Sequence, residues 1–104
     1  MTSKVWVVQE GQNNYDAAED FGEVNFITDN DISKIVGCAQ NIYLGLDIKR
    51  FLSEYTAGID YIIPAGNPMV IALITMSLPT GNHQFLKWDG RRSVYIPYNI
   101  SPIK

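Results

Sequence analysis

The chain has 104 residues, 46% of them hydrophobic and 18% charged, with a formal net charge of −3 and an isoelectric point near 4.9. That is one domain's length of ordinary globular composition, which excludes a disordered or fibrous chain and a generally basic nucleic-acid-binding surface. The lone Cys38 excludes an internal disulfide framework and a zinc site of several thiolates, and no apolar run approaches the ~20 residues of a membrane span.

Taken in chain order, Met1-Thr2-Ser3-Lys4-Val5 has no signal-peptide pattern, so the expectation is a cytoplasmic protein. Lys4 to Gln9 is β-branched and aromatic in an unbroken apolar run, the pattern of a central strand covered on both faces. Gly11 to Asn14 is turn chemistry, and Tyr15 to Phe21 is a polar connector with one helical turn at Asp16–Glu19. Glu23 to Thr28 alternates polar and apolar residues, as a half-exposed strand does.

Thr28 to Asp31 is a run of helix-capping residues. Ile32, Ile35, Val36, Ala39, Ile42, Tyr43 and Leu46 then share one helical face; Ile48, Phe51, Leu52 and Tyr55 share another. Two nearly opposite faces predict a break or kink at Gly45-Leu46-Asp47, with a single helix buried on two sides as the alternative.

Asp60 to Ala65 reads as a short buried strand with Pro64 at its end. In Gly66-Asn67-Pro68, Asn67 is an N-cap and Pro68 suits the first helical position. Met69 to Leu78 follows as a helix apolar nearly all round, which predicts burial. His83 to Trp88 is a strand, Asp89-Gly90 a hairpin turn, and Arg91 to Tyr98 the returning strand. The order β-β-α(α)-β-α-β-β predicts an α/β fold for residues 1–104. It has a mixed five-stranded sheet, helices packed on it, and a C-terminal β-hairpin at its edge.

Candidate sites follow from this layout. Gly66, Asn67 and Pro68 lie where a parallel strand ends and a helix begins, so free N–H groups there could take an anion such as a nucleotide phosphate. Arg91 and Arg92 in the hairpin would supply charge to the same ligand. Tyr15, Asp16, Trp88 and Tyr98 are candidate interface residues, because aromatic side chains concentrate at interfaces. Asp16, Glu19 and Asp20 lack metal-site spacing, and His83 has no partner near it in sequence, so no metal, cofactor or catalytic set is expected. Residues 1–31 hold seven acids against Lys4, while residues 80–104 hold four bases against Asp89. Two faces of opposite sign suggest self-association.

Ile62-Ile63-Pro64-Ala65-Gly66-Asn67 resembles, over one βαβ unit, small viral α/β proteins that degrade cyclic oligonucleotides. Those proteins place a histidine after the glycine, where this chain has Asn67, so no catalytic residue carries over. The Ile- and Asn-rich composition also suits a small phage or plasmid accessory or inhibitor protein. The leading expectation is a non-catalytic binding protein that self-associates and takes a small anionic ligand, without a membrane or a general nucleic-acid surface. The alternatives are a nucleotide- or phosphodiester-acting enzyme at the same turn, and a protein-interaction module with an acidic N-terminal loop.

Overall fold

The computed structural model of the chain describes residues 2–11, 13–30 and 42–101. Its elements are β1 (Lys4–Gln9), a 3-10 helix (Asp16–Phe21), β2 (Glu23–Thr28), α1 (Ile42–Glu54), β3 (Tyr61–Ile63), α2 (Pro68–Met76), β4 (His83–Asp89) and β5 (Val94–Ile100). The strands form one sheet in the order β2-β1-β3-β4-β5. The first four are parallel, and β5 returns antiparallel as the expected C-terminal hairpin. Pro97 lies on this edge strand, where a missing N–H is tolerated.

Covering both faces of the sheet makes the apolar run of β1 continuous. Trp6 and Val8 meet Ile27, Ile62 and the buried stripes of α1 (Leu44, Ile48, Phe51) and α2 (Val70, Ile74). Val5 and Val7 meet Tyr15 and Ala18 at the 3-10 helix, with Ile63, Leu86 and Tyr95. The Trp6 indole packs edge-on against Phe51 at 5.1 Å. Its N–H donates to Asp60 Oδ2 at 3.1 Å. Asp60, 2% exposed, also accepts from the Lys4 and Thr56 amides at 3.0 and 2.9 Å. Three donors aimed at one buried carboxylate offset its desolvation.

Three local expectations are corrected. No break occurs at Gly45-Leu46-Asp47, because α1 runs through them. Leu44, Ile48 and Phe51 form one buried stripe, while Ile42, Tyr43 and Leu46 are exposed. Gly45 sits where an added Cβ would meet nothing within 4 Å, so it costs only helix propensity, about 1 kcal/mol. Asp47 accepts from the Thr28 hydroxyl at 2.7 Å instead of starting a new helix. Of the expected capping run Thr28 to Asp31, Thr28 ends β2, while Asp31 and the apolar face from Ile32 to Ala39, with Gly37 and Cys38, lie outside the described residues.

The second correction concerns α2, which is covered on one side only: Met69 and Met76 are 63% and 84% exposed. Hydrophobicity all round showed which residues could be buried, and the sheet offers one face to receive them. Third, Asp89-Gly90 does not close a two-residue turn. The strands are joined by four residues, 90–93, with Ser93 at φ 54°. The Asp89 carboxylate accepts from the Arg91 and Arg92 amides at 3.0 and 3.4 Å, so an aspartate-led turn replaces the tight one.

Candidate functional site

In this strand order β1 leads to β2 on one side, and β3 leads to β4 on the other. The reversal between β1 and β3 is a topological switch point, where open α/β sheets bind ligands at the carboxyl ends of their strands. Gln9 ends β1 there, buried, and its own amide donates to the Ala65 carbonyl at 3.1 Å. Its side chain accepts from the Asn67 amide at 2.8 Å and donates to the Asp29 carbonyl at 3.2 Å. Gly66, at φ 122°, leaves room for that side chain. Asn67 caps α2 by accepting from the Met69 amide at 2.9 Å, and Pro68 stands in the first turn. The Asn67 amide and its side-chain oxygen are thus engaged within the chain, and Gly66-Asn67-Pro68 does not line the neighbouring cavity.

That cavity is a groove of about 840 Å³. The loop after β1 contributes Asn13, Asn14 and Tyr15, and the end of β3 contributes Ile63, Pro64 and Ala65. The hairpin supplies the rest: Phe85, Leu86, Lys87 and Trp88 from β4, and Tyr95, Tyr98 and Ile100 from β5. Tyr15 and Tyr95 are buried, whereas Trp88 and Tyr98 stay 47% and 48% exposed. Trp88 packs edge-on against Tyr95 at 5.0 Å. Burial first, and the adjacent Tyr15 phenol second, push the Tyr95 phenol above its ordinary value, so its hydroxyl stays protonated. Asn14 Oδ1 accepts from the Asp16 amide at 2.7 Å, fixing the loop at the start of the 3-10 helix. Among the described residues Lys87 is the one charged side chain in the lining.

Of the interface candidates, Tyr15, Trp88 and Tyr98 line this groove, Trp88 beside Tyr95 on one face of the hairpin and Tyr98 opposite Phe85 on the other, and Asp16 stands exposed outside its lining. Arg91 and Arg92 are exposed in the hairpin turn, also outside the lining, and Arg92 Nε lies 3.8 Å from Asp89. The turn adjoins the groove through Trp88, whose indole nitrogen would lie 3.6 Å from a Cβ at Gly90.

His83 is buried away from the groove, with both ring nitrogens engaged. Nε2 lies 2.7 Å from the Pro79 carbonyl, which can only accept, so the proton is assigned to Nε2. Nδ1 then accepts from the Tyr55 hydroxyl. Among the described residues no three histidine, cysteine or carboxylate side chains form a metal-holding group, and no helix is long and apolar enough to cross a membrane.

Residue order places Ile63, Pro64 and Ala65 at the strand end before the candidate turn, but does not announce Gln9 or Leu86 as parts of this region. A polar residue closing an apolar strand was the available signal for Gln9, and the turn chemistry of Asn13 and Asn14 for the groove's loop. No curated protein and no solved structure matches the chain. One family model matches residues 3–102, almost the whole sequence, and the chain belongs to the family described as Phage Pam3 gp32-like protein.

Proposed function

We propose that this chain is a small phage accessory protein that works by binding, and that the aromatic groove beside the switch point is its binding site. The supporting observation is Trp88, a large ring left half exposed against Tyr95 at a mostly apolar cavity of about 840 Å³. Exposed rings in a concave, mostly apolar setting leave free energy to be gained by covering them. An enzyme at the Gly66-Asn67 turn would draw on Asp16 or His83; His83 has both nitrogens committed to Tyr55 and Pro79, and Asp16 stands outside the groove lining, which favours binding over catalysis.

The test is a fragment screen read by amide chemical shifts on the isotope-labelled chain. Shifts gathered at Asn13–Tyr15, Ile63–Ala65 and the hairpin are expected. Shifts gathered instead at Asn67 and Met69 would move the ligand to the anion-binding turn. A screen without hits near Trp88 would overturn the reading.

Self-association is a second reading, favoured by the distribution of charge. Asp16, Glu19 and Asp20 are exposed on the 3-10 helix, and Arg91 and Arg92 are exposed at the hairpin tip. An acidic patch and a basic tip on one chain can meet between copies.

A further inference from the structure

We infer that the groove receives an extended segment of a partner protein as an added β-strand on the open edge of β4, a segment whose residues alternate between apolar and acidic. This rests on the reading that the groove is the binding site, and it names the occupant.

The open edge is the first argument. β3 pairs with β4 at Tyr61–Gln84 and Ile62–Phe85, and the pairing ends there. β4 runs on to Asp89, and from Leu86 to Asp89 it is paired with β5 alone. The chain after β3 bends toward β1 instead. The Ala65 carbonyl accepts from the Gln9 amide at 3.1 Å, and the Ala65 amide donates to the Ile63 carbonyl at 2.9 Å. Pro64 between them has no N–H. The sheet therefore splits beyond Ile62 and Phe85. Four residues of β4, about 13 Å of strand, turn alternate backbone groups away from β5 with no strand in register beside them among the described residues. The outer strand β5 carries Pro97, which blunts a free edge, whereas Leu86-Lys87-Trp88-Asp89 has no proline.

The lining is the second. The cavity borders Ile63, Pro64 and Ala65 on one side of the split and Phe85 to Trp88 on the other. Leu86 and Trp88 belong to one face of the hairpin, with Tyr95; Phe85 and Lys87 belong to the opposite face, with Tyr98. Side chains of both faces line one cavity, so it passes the β4 edge from face to face. A compact ligand on one face meets half of this lining. A strand laid along the edge sends alternate side chains to both faces and bonds the edge through its backbone.

The chemistry of the two faces is the third. On one face the added side chains meet Leu86, Trp88, Tyr95 and Tyr15, all apolar or aromatic. On the other they meet Lys87, just before the turn that holds Arg91 and Arg92. Asp89, the acid on that face, accepts from the Arg91 and Arg92 amides and lies 3.8 Å from the Arg92 side chain. Cross-strand pairing then favours apolar residues toward Trp88 and acidic residues toward Lys87.

The test is amide hydrogen exchange of the isotope-labelled full chain, with and without a synthetic peptide alternating valine and glutamate. The peptide should bind saturably and slow exchange at the alternate amides of Leu86 to Asp89 that turn away from β5. Two control peptides carry N-methyl groups, one on every valine and the other on every glutamate. Only alternate residues of an added strand bond the edge, so one control should bind about tenfold or more weaker and the other nearly as well as the parent. Trp88→Ala should weaken binding by a similar factor with little change in melting, because the ring is half exposed. Lys87→Glu should weaken the glutamate peptide and favour the same peptide with lysine in place of glutamate. Loss of binding in both N-methyl peptides, or in neither, would overturn strand addition. Slowed exchange at the same amides in concentrated protein without peptide would overturn the partner segment in favour of a second copy of this chain. A silent peptide, with fragments still shifting Trp88, would overturn the occupant and leave the groove as the site. Silence from peptide and fragments alike would overturn the groove itself.

Discussion

Gln9 and Gly66 interlock where the sheet reverses direction. A Cβ at position 66 would lie 2.5 Å from Gln9 Cβ and 2.6 Å from its Oε1, and Gly66 holds a φ of 122°. The contact lets the Gln9 carboxamide reach the Asn67 amide and tie β1 to the start of α2. Gly66→Ala therefore forces both a clash and an unfavourable backbone, and should cost at least about 2 kcal/mol in urea unfolding. Gln9→Ala removes the oxygen but keeps its own Cβ, so the double variant should recover part of that loss and not all of it. Additive costs in this double-mutant cycle would show that the two residues do not act on each other.

Asp60 joins β1 to the loop before β3 through one carboxylate, which accepts from the Lys4 amide, the Thr56 amide and the Trp6 indole. Asp60→Ala leaves three donors facing a void and should destabilise by about 3 kcal/mol or more. Asp60→Asn keeps the shape but turns one acceptor into a donor, so it should fall between the two. Denaturant melts followed by tryptophan emission measure this directly. A loss below about 1 kcal/mol for the alanine variant, the size of a single ordinary hydrogen bond, would mean that the three donors find other partners.

The sheet was largely legible in the sequence because its signals are local. Val5 to Val8 is an unbroken apolar run and lies buried on both faces; Asn67-Pro68 is a cap followed by a helix-compatible proline, and it starts α2. The misread positions depend on what lies across from them. Ile42, Tyr43 and Leu46 have helical spacing but stay exposed, because the stripe at Leu44, Ile48 and Phe51 is the one that meets the sheet. The groove was legible in part. Tyr15, Trp88 and Tyr98 stand out in the sequence as aromatic residues of a small chain, but their places along the groove depend on how the hairpin packs near the loop after β1. The turn at Gly66-Asn67 matched an anion-site pattern, but nothing near it in sequence announced that Gln9, fifty-seven positions earlier than Gly66, would supply the Asn67 partner.

Tyr55 gives the fold an alkaline limit. Burial first, and the nearby Asp60 charge second, push its phenol up to about 12, against 10.0 for an ordinary tyrosine. A raised value means that the fold favours the neutral phenol. The associated stability is fully present below pH 10.0, declines as the unfolded chain ionises, and is lost as pH passes about 12. Thermal melts across this window should show the wild type losing stability more steeply than Tyr55→Phe, which has no phenol to ionise. Near neutral pH the order should be reversed, because Tyr55→Phe leaves His83 Nδ1 without its donor. Parallel melting curves for the two proteins above pH 10.0 would show that Tyr55 ionises as an ordinary tyrosine.

Self-association through opposite charges makes a separate demand on ionic strength. The residues concerned, Asp16, Glu19 and Asp20 on one side and Arg91 and Arg92 on the other, are exposed, so their attraction is screened over about 10 Å at 0.1 M salt and about 3 Å at 1 M. Sedimentation equilibrium should show a mass above the monomer in dilute buffer that falls toward the monomer as salt is added. Arg91→Glu with Arg92→Glu should give a monomer even in dilute buffer. Adding Asp16→Lys and Glu19→Lys to that variant should restore association, since the reversed patches are again complementary. Restoration separates a charge contact from an apolar one, because no apolar surface changes and salt would strengthen an apolar contact. A concentration-independent monomer in dilute buffer would remove self-association from the account and leave the two patches as solubilising surface.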